Sequence, residues 1–344
     1  MIESNIRYLP FAELHIHLEG SLQPEFAWHI AKKNNIKLPF ESLDALRQAY
    51  QCSDQDEFFK TFLSVGNVLR TEEDYEDAAN EYLSKALSQG LHHVEMSFCP
   101  QFLSERGDDW QTAIRGLTNA LNNCEKQYGV TCFLILEFNR SLSAESAGKI
   151  LEESIPYTKK NGGWIYAIGL YVEVVPAVGF YEVYERAREL GLYCVAHAGH
   201  DDLGNVPDPG RFVIEAIDKL KVNRIDHGVQ CIKDPELIKR LCNMNPKIPM
   251  NTCPVSNVLC GLFPSVCDHP LKKLLNMDLI VTCNSDDPAY FCCFKDTLDA
   301  CIKDLSLNQD DLRRLAINSF EASFLPDEKK QEYIKEILVF QFTN

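Results

Sequence analysis

FYEVYERARELGLYCVAHAGH, residues 180–200, contains one complete copy of the unit from which this chain is built. Its first part, FYEVYERARELG (180–191), repeats apolar residues every three or four positions and stops on a glycine, as an amphipathic helix does. Its second part, LYCVAHAGH (192–200), is short and apolar on both faces, the signature of a strand covered on both sides. Working outward, similar strands are expected at FAELHIHLE (11–19), HHVEMSFCP (92–100), VTCFLILEF (130–138) and WIYAIGLYVEV (164–174). The series continues with RIDHG (224–228), IPMNTCP (248–254) and LIVTCNSDDP (279–288). RFVIEAIDKLK (211–221) and DPELIKRLCNM (234–244) are further helices between them. Alternation of this kind produces a parallel sheet with helices on its faces. Eight strands favour closure into an α/β fold of the (β/α)8 TIM-barrel type. The runner-up, a doubly wound open sheet, usually carries a glycine-rich first turn, and neither G-x-G-x-x-G nor G-x-x-x-x-G-K-[ST] occurs.

Residues 39–90 are too long for one crossover, so DEFFKTFLSVGNVLR and EDYEDAANEYLSKALSQG are expected as extra helices over the barrel mouth. Residues 308–343 resemble a terminal helix pair, and no linker-like stretch divides residues 1–344, so one domain is expected. Lys and Arg total 34 against 50 Asp and Glu, a formal charge of -16, which argues against nucleic acid and an anionic membrane surface as partners. No apolar run has the length of a spanning helix, and the first residues lack the apolar core of a signal peptide, so a cytoplasmic location is expected. The 14 cysteines include no C-x-x-C pair and read as reduced, buried thiols. No feature assigns an oligomeric state.

The chemistry gathers at strand ends. His15, His17, His197, His200 and His227 all fall inside expected strands at or near their carboxyl ends, the rim on which barrel active sites assemble. His15 and His17 are two residues apart and so share one strand face. A lone His-x-His is weak evidence, but His197, His227 and Asp286-Asp287 at three further strand ends strengthen it. Three imidazoles and a carboxylate suit a zinc ion that keeps one open position. His227 as a bonded core residue and Asp286 as a helix cap are the plainer alternatives. Trp28-His29 reads as packing and His92-His93 as stabilising the barrel's lower end. Phe58, Phe59 and Phe62 have helical spacing and serve either the core or the wall of a pocket at the barrel mouth.

HIHLEGS (15–21), HAG (197–199), DHG (226–228), CPVSN (253–257) and NSDDPAYF (284–291) resemble, in order and spacing, the motifs of the adenosine/adenine deaminase family of metal-dependent hydrolases. RTEEDY (70–75) and RARELGL (186–192) are most similar to its adenine branch. The resemblance implies one Zn²⁺ per chain on His15, His17, His197 and Asp286. It also implies that His227 orients and deprotonates the attacking water, and that Asp287 holds either that oxygen or the purine ring. Glu19 stands where the nucleoside-using branch often has a shorter Asp meeting the sugar, which favours a free base. The reaction implied is hydrolytic deamination of a small-molecule 6-aminopurine, adenine to hypoxanthine and ammonia.

Two departures leave other readings open. His200 occupies the position of the family's Glu, the acid that protonates purine N1. An imidazolium there must carry its proton to act, and a neighbouring cation disfavours that state. The segment after strand four, YVEVVPAVG (171–179), also differs; Glu173 within it and Gly169 just before it are the candidate purine contacts. The alternatives are a deaminase of adenosine or a modified aminopurine, and a zinc-binding homologue without turnover.

Overall fold

A computed structural model describes residues 8–51, 55–172, 175–200, 208 and 210–342. Eight strands pair in parallel in sequence order: β1 (Phe11–His17), β2 (Leu91–Phe98), β3 (Thr131–Asn139), β4 (Ile165–Tyr171), β5 (Tyr193–Ala198), β6 (Arg224–His227), β7 (Met250–Thr252) and β8 (Val281–Cys283). The ring closes just past β8. The Asp286 carbonyl accepts from the His17 N–H at 3.1 Å, the His15 carbonyl accepts from the Asp286 N–H at 3.2 Å, and Asn284 Oδ1 accepts from the Leu14 N–H at 2.8 Å. The expected (β/α)8 barrel is the fold observed.

Several strands end earlier than their apolar runs suggest, for a local reason. Gly199, His227, Gly228 and Asp286 all have positive φ, between 64° and 75°. A left-handed residue turns the chain out of the extended ladder, so β5 and β6 end where Gly199, His227 and Gly228 bend. At β1 the pairing passes from Glu13 opposite Val94 to Ile16 opposite Met96, so two residues face one across a bulge. Such a bulge re-aims side chains; here His15 lies within it and His17 follows it.

Between β1 and β2 lie four helices, α1 (Pro24–Lys33), α2 (Leu43–Ala49), α3 (Gln55–Gly66) and α4 (Glu72–Ala86). Only part of the expected cover over the mouth is found. Helix α3 brings Phe58, Phe59 and Phe62 to the cavity at the strand ends. Helix α4 instead serves as the β1–β2 crossover, packed along helix Gln111–Tyr128. Gly116 makes that contact possible, since a Cβ there would stand 2.1 Å from the Glu72 carbonyl oxygen. The Tyr82 hydroxyl of α4 reaches the buried Glu13 carboxylate of β1.

The terminal pair is present as helices Gln309–Ala322 and Asp327–Val339. The first packs on β1 and β8, and the turn after it seals the lower end of the barrel. There the buried Arg224 lies 2.7 Å from Glu95 Oε2 and donates to the Ala322 carbonyl at 2.9 Å. Glu95 Oε1 in turn accepts from the Phe324 N–H at 2.5 Å. His93 sits in the same layer, its Nδ1 2.8 Å from Thr131 Oγ1, a stabilising role as its position implied. No described helix is long and apolar enough to cross a membrane.

Candidate metal centre and purine pocket

Four side chains from β1, β5 and the turn after β8 converge at the mouth. One ligand atom from each of His15, His17, His197 and Asp286 lies within 4.8 Å of the others. His15 Nε2 and His17 Nε2 each stand 3.2 Å from Asp286 Oδ1. Ligands bound to one tetrahedral zinc at 2.0–2.1 Å are separated by about 3.3 Å, so the spacing fits such an ion. His15 Nε2 is buried yet makes no sound hydrogen bond among the described residues, as expected of a lone pair aimed at a shared centre. The donor set therefore suits a metal.

Carboxylates stand beside the opposite ring nitrogens. His15 Nδ1 lies 3.2 Å from Asp226 Oδ1, while Glu137 lies 3.0 Å from His17 Nδ1 and 3.3 Å from His197 Nδ1. A carboxylate on Nδ1 fixes the proton there and leaves Nε2 to bind metal. Asp226 is itself held by Asn251 Nδ2 at 2.9 Å. Gly169 provides room for Glu137, because a Cβ on it would stand 3.2 Å from Glu137 Oε1.

These carboxylates make the centre strongly attractive to positive charge. Burial opposes an imidazolium at His15, but Asp226 and Asp286 outweigh it and raise its pKa to about 10. His17 is raised against the same burial penalty by Glu137 and Asp286. Asp286 is held well below the usual range despite burial, chiefly by His15 and His17. Asp287 goes the other way: burial and the Asp286 charge push it up to about 8. Burial pushes His200 down to about 3 and His227 well below 6.5, leaving both rings neutral.

Above the centre a cavity is lined by His17, Glu19, His200, His227 and Asp287, with Phe58, Phe59, Phe62, Phe102 and Phe291 forming an aromatic wall. His200 stacks on His227 with ring centroids 4.0 Å apart. Glu19 Oε1 accepts from the Cys99 N–H at 3.1 Å. Gly20 admits Asp287, since a Cβ on Gly20 would overlap its Oδ1 at 1.8 Å.

The comparisons agree with this geometry. The sequence model of the family described as "Adenosine deaminase" matches residues 10–339. An adenine deaminase of Streptomyces coelicolor is 42% identical over 97% of this chain and 96% of its own length. One from Acinetobacter baylyi is 40% identical over 96% of this chain and 97% of its own. The chain belongs to the adenosine deaminase family. Among solved structures, the adenine deaminase of Arthrobacter aurescens superposes with a TM-score of 0.88 at 36% identity, covering 96% of this chain and 98% of that one. An amidohydrolase from Burkhoderia ambifaria with bound Zn has the same fold at 23% identity and a TM-score of 0.84, covering 96% of this chain and 91% of that one.

As a member of this metal-dependent family, the chain brings together nearly all the residues its motifs singled out. His15, His17, His197 and Asp286 form the cluster, while His227, His200, Asp287 and Glu19 line the cavity. Gly169 lies beneath it against Glu137, and Glu173 falls outside the described residues. Sequence reading overlooked the supporting groups. Glu137 was visible as the one charge in VTCFLILEF, and Asp226 as the acid of the DHG motif. Ser256, whose Oγ donates to Asp286 Oδ2 at 2.6 Å, and Asn257 lie in CPVSN. Tyr171, Cys99 and Phe102 carried no such signal.

Proposed function

We propose that this chain hydrolyses the exocyclic amine of a free 6-aminopurine, adenine foremost, giving hypoxanthine and ammonia, as a single catalytic domain with one Zn²⁺ per chain. The convergence of three imidazoles and Asp286 beneath a cavity walled by aromatic rings carries the reading. The identity of about two-fifths to curated adenine deaminases over nearly the whole chain supports it. His15, His17, His197 and Asp286 would hold the zinc, which when bound makes a water nucleophilic near neutral pH. Phe58, Phe62 and Phe291 offer their faces and edges to the flat ring. Asp287, buried beside the centre, is placed to hold the attacking oxygen or a nitrogen of the purine edge. His200 takes the place facing N1, where its neutral ring offers a hydrogen bond rather than a full charge. Glu19, buried and tied to the Cys99 N–H, closes the side a ribose would need, which favours the free base over a nucleoside.

The test is ammonia release by the zinc-loaded protein from adenine, adenosine, an N6-methylated adenine and an aminopterin, with metal content measured beside it. Adenine should give the highest kcat/KM. Faster turnover of adenosine would contradict the role given to Glu19, and no release from any of them would reject a deaminase.

A further inference from the structure

The established motifs account for one nitrogen of His227, the Nε2 that faces the centre 3.9 Å from Asp286 Oδ2. Its other nitrogen enters a buried chain of hydrogen bonds that begins at Asn257 of the CPVSN motif and runs on to His269, outside every motif. His227 Nδ1 lies 3.1 Å from Asn257 Nδ2. Asn257 Oδ1 lies 3.0 Å from His269 Nε2, and His269 Nδ1 accepts from the Leu271 backbone N–H at 3.2 Å. All three side chains are buried, with relative exposures of 1%, 0% and 3% for His227, Asn257 and His269.

Such a chain ordinarily has no intrinsic direction, because amide and imidazole orientations are interchangeable. Here one end is fixed. A backbone N–H can only donate, so His269 Nδ1 must be the bare nitrogen and His269 Nε2 the protonated one. His269 Nε2–H then needs an acceptor, which forces the carbonyl end of Asn257 toward His269 and its NH2 toward His227. An amide NH2 cannot accept, so His227 Nδ1 must be bare, and the ring proton of neutral His227 must sit on Nε2. Reversing any one link would set two donors against each other at about 3 Å in a buried place, at a cost of the order of 1–3 kcal/mol.

We infer that Asn257 and His269 are positioning residues that lock His227 into its Nε2–H tautomer, so that His227 presents a hydrogen-bond donor, not a proton acceptor, to the oxygen that attacks the purine. The inference rests on the deaminase reading for the identity of that oxygen, but the tautomer itself follows from the polar chain alone. His227 supports the same view by its backbone. It holds φ 64°, an uncommon conformation for a residue with a side chain, and the turn at Gly228 keeps the ring between the Asn257 amide and the centre. In this arrangement the proton leaving the water goes to the Asp287 carboxylate, which lines the same cavity, and His227 contributes by orienting the oxygen lone pair toward the ring carbon.

The zinc-loaded protein, labelled with 15N in histidine, reports the tautomer directly through two-bond nitrogen–hydrogen correlations, with His227 identified by its loss in His227→Gln. Wild type should show a bare Nδ1 and a protonated Nε2. Asn257→Asp replaces the donor by an acceptor and should move the proton to Nδ1. Metal content should hold, KM should change little, and kcat should drop by about 10²- to 10⁴-fold, the range for a positioned histidine left in the wrong tautomer. His269→Gln keeps a donor toward Asn257 and should stay close to wild type, whereas His269→Phe frees the amide to rotate and should give mixed tautomers with reduced kcat. The inference is overturned if wild-type His227 carries its proton on Nδ1, or if a variant with the proton moved to Nδ1 turns over as fast as wild type. Failure of the deaminase reading would look different: no ammonia from wild type, with the tautomer unaffected.

Discussion

Strands β2, β3 and β4 run for eight, nine and seven residues, whereas β6, β7 and β8 run for only four, three and three. The long strands bury Val94, Met96, Leu134, Leu136, Ile168 and Leu170, and are held by continuous backbone ladders. The short ones bury Asp226, His227, Asn251, Thr252 and Thr282, and side chains finish what the ladder leaves out. Thr252 Oγ1 donates to the Thr282 carbonyl at 2.8 Å, Thr282 Oγ1 to Asn251 Oδ1 at 3.0 Å, and Asn251 Nδ2 to the Leu14 carbonyl at 3.1 Å. One side of the barrel thus gains most of its stability from apolar area removed from water. The other gains geometry: a satisfied polar network contributes modest net stability but fixes where each group points. His227, Asp286 and Asp287 lie on or just past the second kind of wall, and its Asp226 faces His15, whereas Glu137 of β3 reaches His17 and His197 from the first.

That division predicts separable failures. The largest is at the centre itself. His17→Ala removes one ligand and the contact to Asp286, and should abolish stoichiometric zinc and lower kcat/KM by well over about a hundredfold, beyond the range for a merely supporting residue. Metal analysis of the folded variant and ammonia assays check this, and zinc near one equivalent would remove His17 from the ligand set. His29→Ala, in α1, should change neither.

Next comes the pair that ties the two walls together. Glu95 of β2 and Arg224 of β6 are both buried, so Glu95→Gln leaves a guanidinium without its counter-charge and should cost about 3–5 kcal/mol in chemical denaturation. Zinc per folded chain should be unchanged. Burial works to raise the Glu95 pKa, but Arg224 and His93 win and hold it below its ordinary 4.5. A depressed carboxylate contributes its stability above the unfolded value and loses it as pH falls through the folded one. Wild-type stability should therefore decline below about pH 4.5, and Glu95→Gln should flatten that decline. Parallel slopes would show that the pair is not what acid attacks.

How far the sequence carried differs between the same two walls. Long β-branched and aliphatic runs such as VTCFLILEF announce a buried strand by themselves, and the β3 ladder over Thr131–Asn139 lies within a residue of that run. In LIVTCNSDDP the run is equally apolar at its start, but the strand ends at Cys283 and Asp286, past it, takes φ 69°. Backbone handedness at a non-glycine residue leaves no mark in composition. The ligand cluster was legible because metal chemistry restricts residue types and strands restrict spacing. The groups behind it, Glu137 and Asp226 above all, were not, because a lone acid in an apolar run does not say which residue it will meet across a barrel. Helix α4 was misplaced over the mouth for a similar reason: its acidic, exposed face resembles a surface helix, and its packing on Gln111–Tyr128 depends on a distant glycine.

Glu137 allows the boundary between the walls to be sharpened, since it grows from an apolar strand yet holds two ligand rings. Glu137→Gln keeps its size but turns an NH2 toward one Nδ1–H. Zinc affinity should weaken by about 10- to 100-fold, measured by chelator competition. The apparent melting temperature at saturating zinc should move little. A stability loss without weaker zinc would assign Glu137 to the core instead.

The smallest effect is the strictest test of the division. Ile135 of β3 is 1% exposed, two residues before Glu137 on the same strand, and its Cγ2 lies 3.2 Å from where a Cβ on Gly169 would stand. Ile135→Val keeps that branched methyl and deletes only the terminal one, leaving a gap smaller than a water. The expected cost is about 0.5–1.5 kcal/mol in denaturant unfolding. If the apolar wall supplies stability alone, the variant should bind zinc and turn over substrate as wild type does once folded, because no polar partner of Glu137, His17 or His197 has moved. If instead kcat or zinc affinity falls severalfold with so slight a change, packing beneath Glu137 sets the position of its carboxylate. The two walls would then be one mechanical unit, with the precision of the metal centre resting on the fit of aliphatic side chains as much as on its hydrogen bonds.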